Sequence, residues 1–392
     1  MKIGFVIPYW TTWGGSARVV QEVTKRLAAE GLDIVVFTTD VGADDERAKL
    51  RSEVDGVSIR SFRNVSHRIA RRNRGFLPPA FFRAFSREIS SLDLVHVVDF
   101  RHVLGSWALR RANRAGVPSV LAPHGSLPNA EGRQRLKGIY DRLLGQRDLL
   151  LADHFHVLTE IEAAAVATHG ITRNRMTTIP NGVAIPDAIT ANERARARAA
   201  LGLSETDVVL LYMGRLVPRK GLLLVLDALG QLSGQGVPVK LFVAGADDGH
   251  LSDAKRFVAE HDLGERVRFL GFIDGMQKRE TIAASDVFAL WSSHEGQPMA
   301  VLEAMSHGLC VVVSEAAAVA GMSEARAGLV LPERTASAGV RVLAGLLEPP
   351  AERFDLGSRA RTFVESGYSW SQAIPQYIEM YEKVIDSRRQ VA

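Results

Sequence analysis

Short apolar runs alternate with longer stretches of helical spacing along almost the whole chain. Residues 2–9 read as a buried strand, and a glycine turn within WTTWGGSARVV (10–20) leads into a helical pattern through Leu27. Further strand patterns lie at LDIVVFTTD (32–40), LDLVHVVDF (92–100), GVPSVLAPHGSL (116–127) and the start of ADHFHVLTEIEAAAVATHGI (152–171). Apolar runs with so little polar alternation predict strands covered on both faces, as in a parallel sheet. Thr159 is placed to cap the helix that Gly170 ends. A Pro-Asn-Gly turn in TTIPNGV (177–183) closes this series. After a polar stretch, ANERARARAA (191–200), the alternation restarts. DVVLLYMGRLVPRKG (207–221), a helix over 222–230, VKLFVAGADDG (239–249), RVRFLGFI (266–273), DVFALW (286–291) and CVVVSE (310–315) make the second series. YSWSQAIPQYIEMYEKVI (368–385) is helical again. The pattern predicts two doubly wound α/β domains joined near residue 185, with ligands at strand ends and in a cleft between them.

The densest candidate chemistry lies in EGQPMAVLEAMSHG (295–308). A strand runs through Ser292, Ser293 and His294 into Glu295, and Pro298 suits the first position of a helix that Gly308 stops. Glu295 is then a loop acid at a helix entrance, where free N–H groups favour a ligand. Glu303 lies inside a helix apolar nearly all round and needs a partner there. Eight helical residues would separate the two acids by roughly 12 Å along the axis. A retaining glycosidase pair sits about 5 Å apart, so these acids hold different parts of one ligand. A second candidate is the basic turn carrying Arg215, Arg219 and Lys220 ahead of a helix, where a bound anion would relieve the clash with the helix dipole. His124, at a strand end before Gly125, is a better ligand contact than His96, which reads as a core histidine. Gly14 and Gly15 fit either a close ligand approach or a plain tight turn, since a complete G-x-G-x-x-G is absent.

Composition narrows the class. The 392 residues are 46% hydrophobic and 23% charged, as in a soluble two-domain protein. The single cysteine, Cys310, cannot form an internal disulfide, which fits a reducing cytosol. The amino-terminal run is too short for a signal peptide, and nothing approaches the ~20 apolar residues of a membrane span. A net charge of +4 favours anionic partners. Residues 60–88 concentrate this charge: Arg60, Arg63, Arg68, Arg71, Arg72, Arg74, Arg83 and Arg87 face only Glu88. Phe76, Phe81 and Phe82 interrupt them, which suits an anionic membrane surface or acceptor, or a solvated segment whose phenylalanines pack inward. No nucleic-acid motif is present.

Taken together, GG (14–15), HGS (124–126), LTE-x-E (158–162), PNGV (180–183), GRLVPRKG (214–221), VAGADDG, FLGF (269–272), EGQPMAVLEAMSHG and YSW (368–370) resemble the retaining glycosyltransferases of family four, group 1. The resemblance covers essentially the whole chain and implies a GT-B fold: two Rossmann-like doubly wound domains facing an interdomain cleft. It implies an acceptor-side domain over 1–185, completed by a returning helix at 371–392, and a donor domain over 186–370. The implied reaction moves a sugar from a UDP- or GDP-sugar to an acceptor hydroxyl with retention, in surface polysaccharide or lipid-linked glycan synthesis.

The roles implied are specific. Arg215 and Lys220 neutralise the leaving diphosphate, with Gly14 and Gly15 near it. Glu303 takes the ribose hydroxyls, and Glu295 with Gly296, Gln297, Pro298, Met299 and Ala300 holds the donor sugar. His124 contacts that sugar or its developing positive charge. Fixed cations stand in for a metal, no cofactor is expected, and Asp247-Asp248 are loop residues. Partners are the nucleotide sugar, a glycan or lipid-linked acceptor and an anionic membrane touched by 60–88, without nucleic acid. The location implied is cytoplasmic, at the inner membrane face where that contact is made. Two departures stand out: Ala17 where relatives often carry Glu, and a 314–332 loop lacking a glycine pair. The rival readings are a sugar phosphorylase or nucleotide-sugar epimerase of the same fold, and a non-catalytic nucleotide-sugar-binding subunit.

Overall fold

Continuous apolar runs become parallel strands in both halves of the chain. The computed structural model describes all residues except 11–14, 43–46, 49–50, 74, 128–137, 139, 142–144, 348–349 and 391–392. It divides into two units, Met1–Gly182 with Trp370–Ala392, and Val183–Ser369.

In the first unit, eight strands follow in chain order: β1 (Lys2–Val6), β2 (Asp33–Thr39), β3 (Glu53–Val54), β4 (Val57–Phe62), β5 (Leu94–Val98), β6 (Ser119–Ala122), β7 (His154–Val157) and β8 (Met176–Thr178). Their order in the sheet is β3-β4-β2-β1-β5-β6-β7-β8, parallel throughout except for the short β3–β4 pair. Every residue of β5, β6 and β7 is buried, which is why these strands read as largely apolar runs, with one histidine in β5 and two in β7. Helix α1 (Gly15–Ala29) follows β1.

The arginine-rich segment forms β4, α2 (His67–Asn73) and α3 (Pro79–Glu88). Its phenylalanines turn inward: Phe76, Phe81 and Phe85 are buried, and Phe85 meets Phe37 with ring centroids 5.0 Å apart. Val65, Ile69 and Leu77 are the large apolar side chains it leaves exposed, at 65%, 52% and 48%.

Three more helices of this unit matter for the site and its support. They are α4 (Val103–Ala115), α5 (Gln146–Leu151) and α6 (Glu160–Ala167), the last capped by Thr159 as its sequence predicts.

The second unit holds β9 (Val208–Met213), β10 (Val239–Ala244), β11 (Val267–Gly271), β12 (Val287–Leu290), β13 (Cys310–Val313) and β14 (Leu329–Val330). They form one parallel sheet in the order β11-β10-β9-β12-β13-β14. The polar stretch before it is itself a helix, α7 (Ala191–Ala200), with Thr190 as cap. Little apolar spacing marks α7, because its role is electrostatic. Arg194 and Arg198 both reach Asp286, at 2.7 and 3.2 Å, and donate to the carbonyls of residues 283–285, where another helix ends. The helices of this unit are α8 (Leu222–Gly234), α9 (Leu251–Glu260), α10 (Gly275–Ala284), α11 (Met299–Ser306), α12 (Ala336–Leu347) and α13 (Pro350–Gly367). Burial raises the Cys310 thiol to about 12, so it stays protonated in the core.

The last helix, α14 (Trp370–Arg389), belongs to the first unit. Tyr381 lies 2.7 Å from Nδ1 of His96, and Arg388 donates to Asp153 at 2.9 Å. His96 is thus a buried core histidine, but only half satisfied, for its Nε2 has no partner among the described residues. No helix among those residues is long and apolar enough to cross a membrane.

Candidate functional site

Two glycines bring three strand ends of the second unit into backbone contact. Gly245, after β10, has φ +150, and a Cβ there would lie 1.8 Å from the Gly214 carbonyl oxygen. Gly221, after the 3-10 turn Pro218–Lys220, has φ +75, and its Cβ would lie 2.1 Å from the Trp291 carbonyl oxygen. No side chain fits at either place. The basic turn between β9 and α8 is therefore pressed against the end of β12, where the acidic loop begins.

There Lys220 meets Glu295, with Nζ 2.6 Å from Oε1, and the Ser292 hydroxyl donates to the same oxygen at 2.6 Å. The side chains are 14% and 8% exposed. Desolvation pulls the Lys220 amine below its ordinary range, and the facing carboxylate pulls the other way. Arg219 donates to the His294 carbonyl at 3.1 Å. Arg215 pairs with Asp248 at 2.7 Å, both about half exposed, so that link is a weak, solvated one.

Helix α11 starts one residue later than its sequence suggests, with Pro298 as the flanking cap residue. The Met299 N–H donates to the Gln297 carbonyl and the Val301 N–H to that of Pro298, so part of this helix entrance is satisfied internally. Gly308 closes the helix with φ +76. Val301, Leu302, Ala304 and Met305 are fully buried, and Glu303 on the same helix finds its partner in Lys278 of α10, at 3.0 Å. Each glutamate thus has its own lysine.

Beside Arg215, a cavity of about 270 Å³ opens at the ends of β9, β10 and β11. Leu216, Val243, Gly245, Phe269, Gly271 and Phe272 form most of its wall. Asp247 accepts from the N–H groups of Gly249, His250 and Leu251 and so caps α9, while Asp248 holds Arg215. Among the described residues no cluster of His, Cys, Asp or Glu is placed to hold a metal ion.

His124 belongs to the first unit. It lies in the turn after β6 with φ +49, followed by Gly125 at φ +73. Desolvation lowers its imidazole to about 4, so it is neutral at neutral pH. Its ring meets that of His156 at 5.8 Å, and His156 in turn stacks edge-on with Tyr377 of α14 at 4.9 Å. Gly15 is the first residue of α1, whereas Gly14 falls outside the described residues. Near that helix start, the hydroxyls of Tyr9 and Ser16 both reach Asp99, at 3.1 and 3.2 Å.

Sequence reasoning missed Lys278, the cavity lining and Asp99. Lys278 lies 25 positions from Glu303 on a different helix, and a spacing pattern carries no trace of such a pair. The motifs VAGADDG and FLGF hold most of the cavity wall, but their spacing does not show that they face one space.

Comparison with known proteins bears on the same residues. Residues 13–185 match the family described as Glycosyltransferase Family 4, and residues 193–363 match Glycosyl transferases group 1. A D-inositol 3-phosphate glycosyltransferase of Mycobacteroides abscessus is 28% identical, covering 96% of this chain and 86% of the relative. A GDP-mannose:cellobiosyl-diphosphopolyprenol alpha-mannosyltransferase of Xanthomonas campestris is 25% identical over 99% and 98%. Among solved structures, Anabaena HepE in complex with UDP and glucose superposes with a TM-score of 0.77 at 20% identity, covering 98% of this chain and all of that one.

Proposed function

Because the chain belongs to the family-four, group 1 glycosyltransferases of GT-B fold, we propose that it transfers a sugar from a UDP- or GDP-sugar to an acceptor hydroxyl with retention of configuration. One observation carries this reading. Arg215, Lys220, Glu295, Glu303 and the cavity share the carboxyl ends of β9–β12, where a parallel sheet presents ligands.

The cavity takes the base, Glu303 the ribose hydroxyls, and Arg215 with Lys220 the diphosphate. Glu295 and the turn Gly296–Gln297–Pro298 with Met299 and Ala300 hold the sugar, and the role proposed for His124, neutral by burial, is to contact that sugar without adding a like charge to the developing cation. Gly14 and Gly15 keep their proposed place near the diphosphate. In the transfer, the bond from the anomeric carbon to the diphosphate oxygen breaks as the acceptor oxygen bonds the same face. The acceptor proton passes to the departing diphosphate. Negative charge grows on the diphosphate in this step, which is where fixed cations act most strongly. They also supply the charge that a metal would bring elsewhere.

The relatives point to a polyprenol-linked or phosphorylated acceptor, since one is named for a diphosphopolyprenol and another for an inositol phosphate. An acceptor of the lipid-linked kind places the reaction at a membrane surface. Exposed Val65, Ile69 and Leu77 beside Arg63, Arg68 and Arg71 suit such a surface, aliphatic groups entering the interface and guanidinium groups meeting anionic lipid.

A thermal-shift series with UDP, GDP and ADP and their sugars tests the reading. At a hundredfold excess over Kd, a true donor stabilises by about 2.7 kcal/mol. For units of this size that raises Tm by about 5–10 °C. No shift with any nucleotide would remove the donor site. Conversion of a donor to its epimer without acceptor would replace the transferase reading by the epimerase one.

A further inference from the structure

Glu162 is a buried acid that the transfer scheme leaves unused. Its residue is 7% exposed, and it has no ion-pair partner among the described residues. Burial raises its carboxyl, with Asp99 adding to the rise, and two backbone N–H groups act against it. One oxygen accepts from the Leu158 N–H at 2.8 Å, while the Glu162 N–H itself donates to the Thr159 hydroxyl at 3.2 Å. That much resembles the reciprocal bonding of a helix start, reaching the residue before the cap, and needs only one carboxylate oxygen. The other oxygen leaves α6 and accepts from the Gly125 N–H at 2.5 Å, 37 residues away.

Gly125 follows His124, and both have left-handed φ, +73 and +49. A non-glycine residue held there is strained and persists only where its surroundings over-determine it. The strand ladder cannot supply that restraint, because two successive left-handed residues turn the backbone out of the sheet. The far side of the turn is also fastened. Arg101 donates to the Ser126 and Leu127 carbonyls and is anchored by Asp141 at 2.8 Å, and the Phe100 N–H reaches the Ser126 hydroxyl at 3.0 Å. His124 therefore projects from a turn gripped by a carboxylate on one side and a guanidinium on the other.

We propose that Glu162 is a positioning residue for transfer, holding the His124–Gly125 turn so that the imidazole meets the reacting sugar. The proposal rests on the transferase reading and on the place given there to His124. Glu162 touches no substrate; its effect passes through His124 alone.

A double-substitution cycle tests this, with kcat read as nucleoside diphosphate release, water taking the sugar in place of the acceptor, from whichever UDP- or GDP-sugar gives the largest thermal shift. Misplacing a reacting group by about 1 Å costs about 100-fold, so Glu162→Ala lowers kcat about 10- to 100-fold while the donor KM moves less than about threefold. Glu162→Gln keeps one accepting oxygen and falls between. In a His124→Ala background, the Glu162 change costs less than about twofold further, because the group it positions is gone. A residue that only supports the fold costs the same factor in both backgrounds, since independent losses multiply. Multiplying losses, or an unaltered kcat in Glu162→Ala, would overturn the proposal. Should Glu162→Ala fail to fold, the same cycle with Glu162→Gln decides. No release by the unsubstituted chain would overturn the transferase reading, and the proposal with it.

Discussion

At the scale of single residues, Lys220 and Glu295 join a buried ion pair to the roles proposed for them in transfer. Both are largely buried, so removing either leaves an uncompensated charge, at a cost of about 3–5 kcal/mol. Lys220→Met alone is then expected to lose both folding stability and turnover. Adding Glu295→Gln removes the stranded charge, so the double variant recovers much of its Tm but none of its kcat. Melting curves and steady-state rates on the three proteins check this, and a double variant that regains turnover would sink the diphosphate role of Lys220. The sequence marked Lys220 as an anion contact in a basic turn ahead of a helix. It could not show the direct pairing, which joins positions 75 residues apart. Acids and bases announce themselves by type, but their partners depend on which strand ends the sheet order brings together. Glu162 shows the same limit: its motif was visible, and its backbone acceptance from Gly125 was not.

At the scale of elements, the strands were the most legible part, because burial on both faces writes an unbroken apolar run. Helix α7 was the least legible, since its arginines bond to helix ends and a carboxylate and leave little apolar stripe. The arginine-rich segment is intermediate. Its phenylalanines belong to the core of the first unit, so the membrane reading now stands on Val65, Ile69 and Leu77 with the neighbouring guanidinium groups. Each juxtamembrane cation contributes about 1 kcal/mol at an anionic surface. Replacing Arg63, Arg68 and Arg71 by Gln should therefore weaken co-sedimentation with phosphatidylserine vesicles by about 100-fold, with neutral vesicles as the control. Equal binding of the variant and the parent would remove the membrane contact. Leu77→Ser should weaken it further without touching the buried phenylalanines.

At the scale of the whole molecule, the two units carry unequal acid sensitivity. His96, His102, His124, His154 and His156 of the first unit all have imidazoles lowered by desolvation, whereas the second unit has His307 alone among its shifted histidines. Each is neutral in the folded state and protonates more readily when unfolded. The stability it contributes is complete above about pH 6.5 and is lost as the pH falls below that value, toward about 4 for His124, His154 and His307, by about 1.4 kcal/mol per unit for each such group. The raised carboxyls of Asp148 and Glu162 act in the opposite direction but are fewer. Calorimetry at pH 7 and pH 5 should show the first unit melting earlier at the lower pH and separating from the second; coincident transitions at both values would contradict this. The helix α14 carries one more consequence, for synthesis. The ribosome makes the first sheet early, yet the helix that covers His96 and His156 comes from the last residues translated. The whole second unit is thus made while the first waits open on that face. A stop codon near residue 369 would therefore damage the end of the molecule that is translated first.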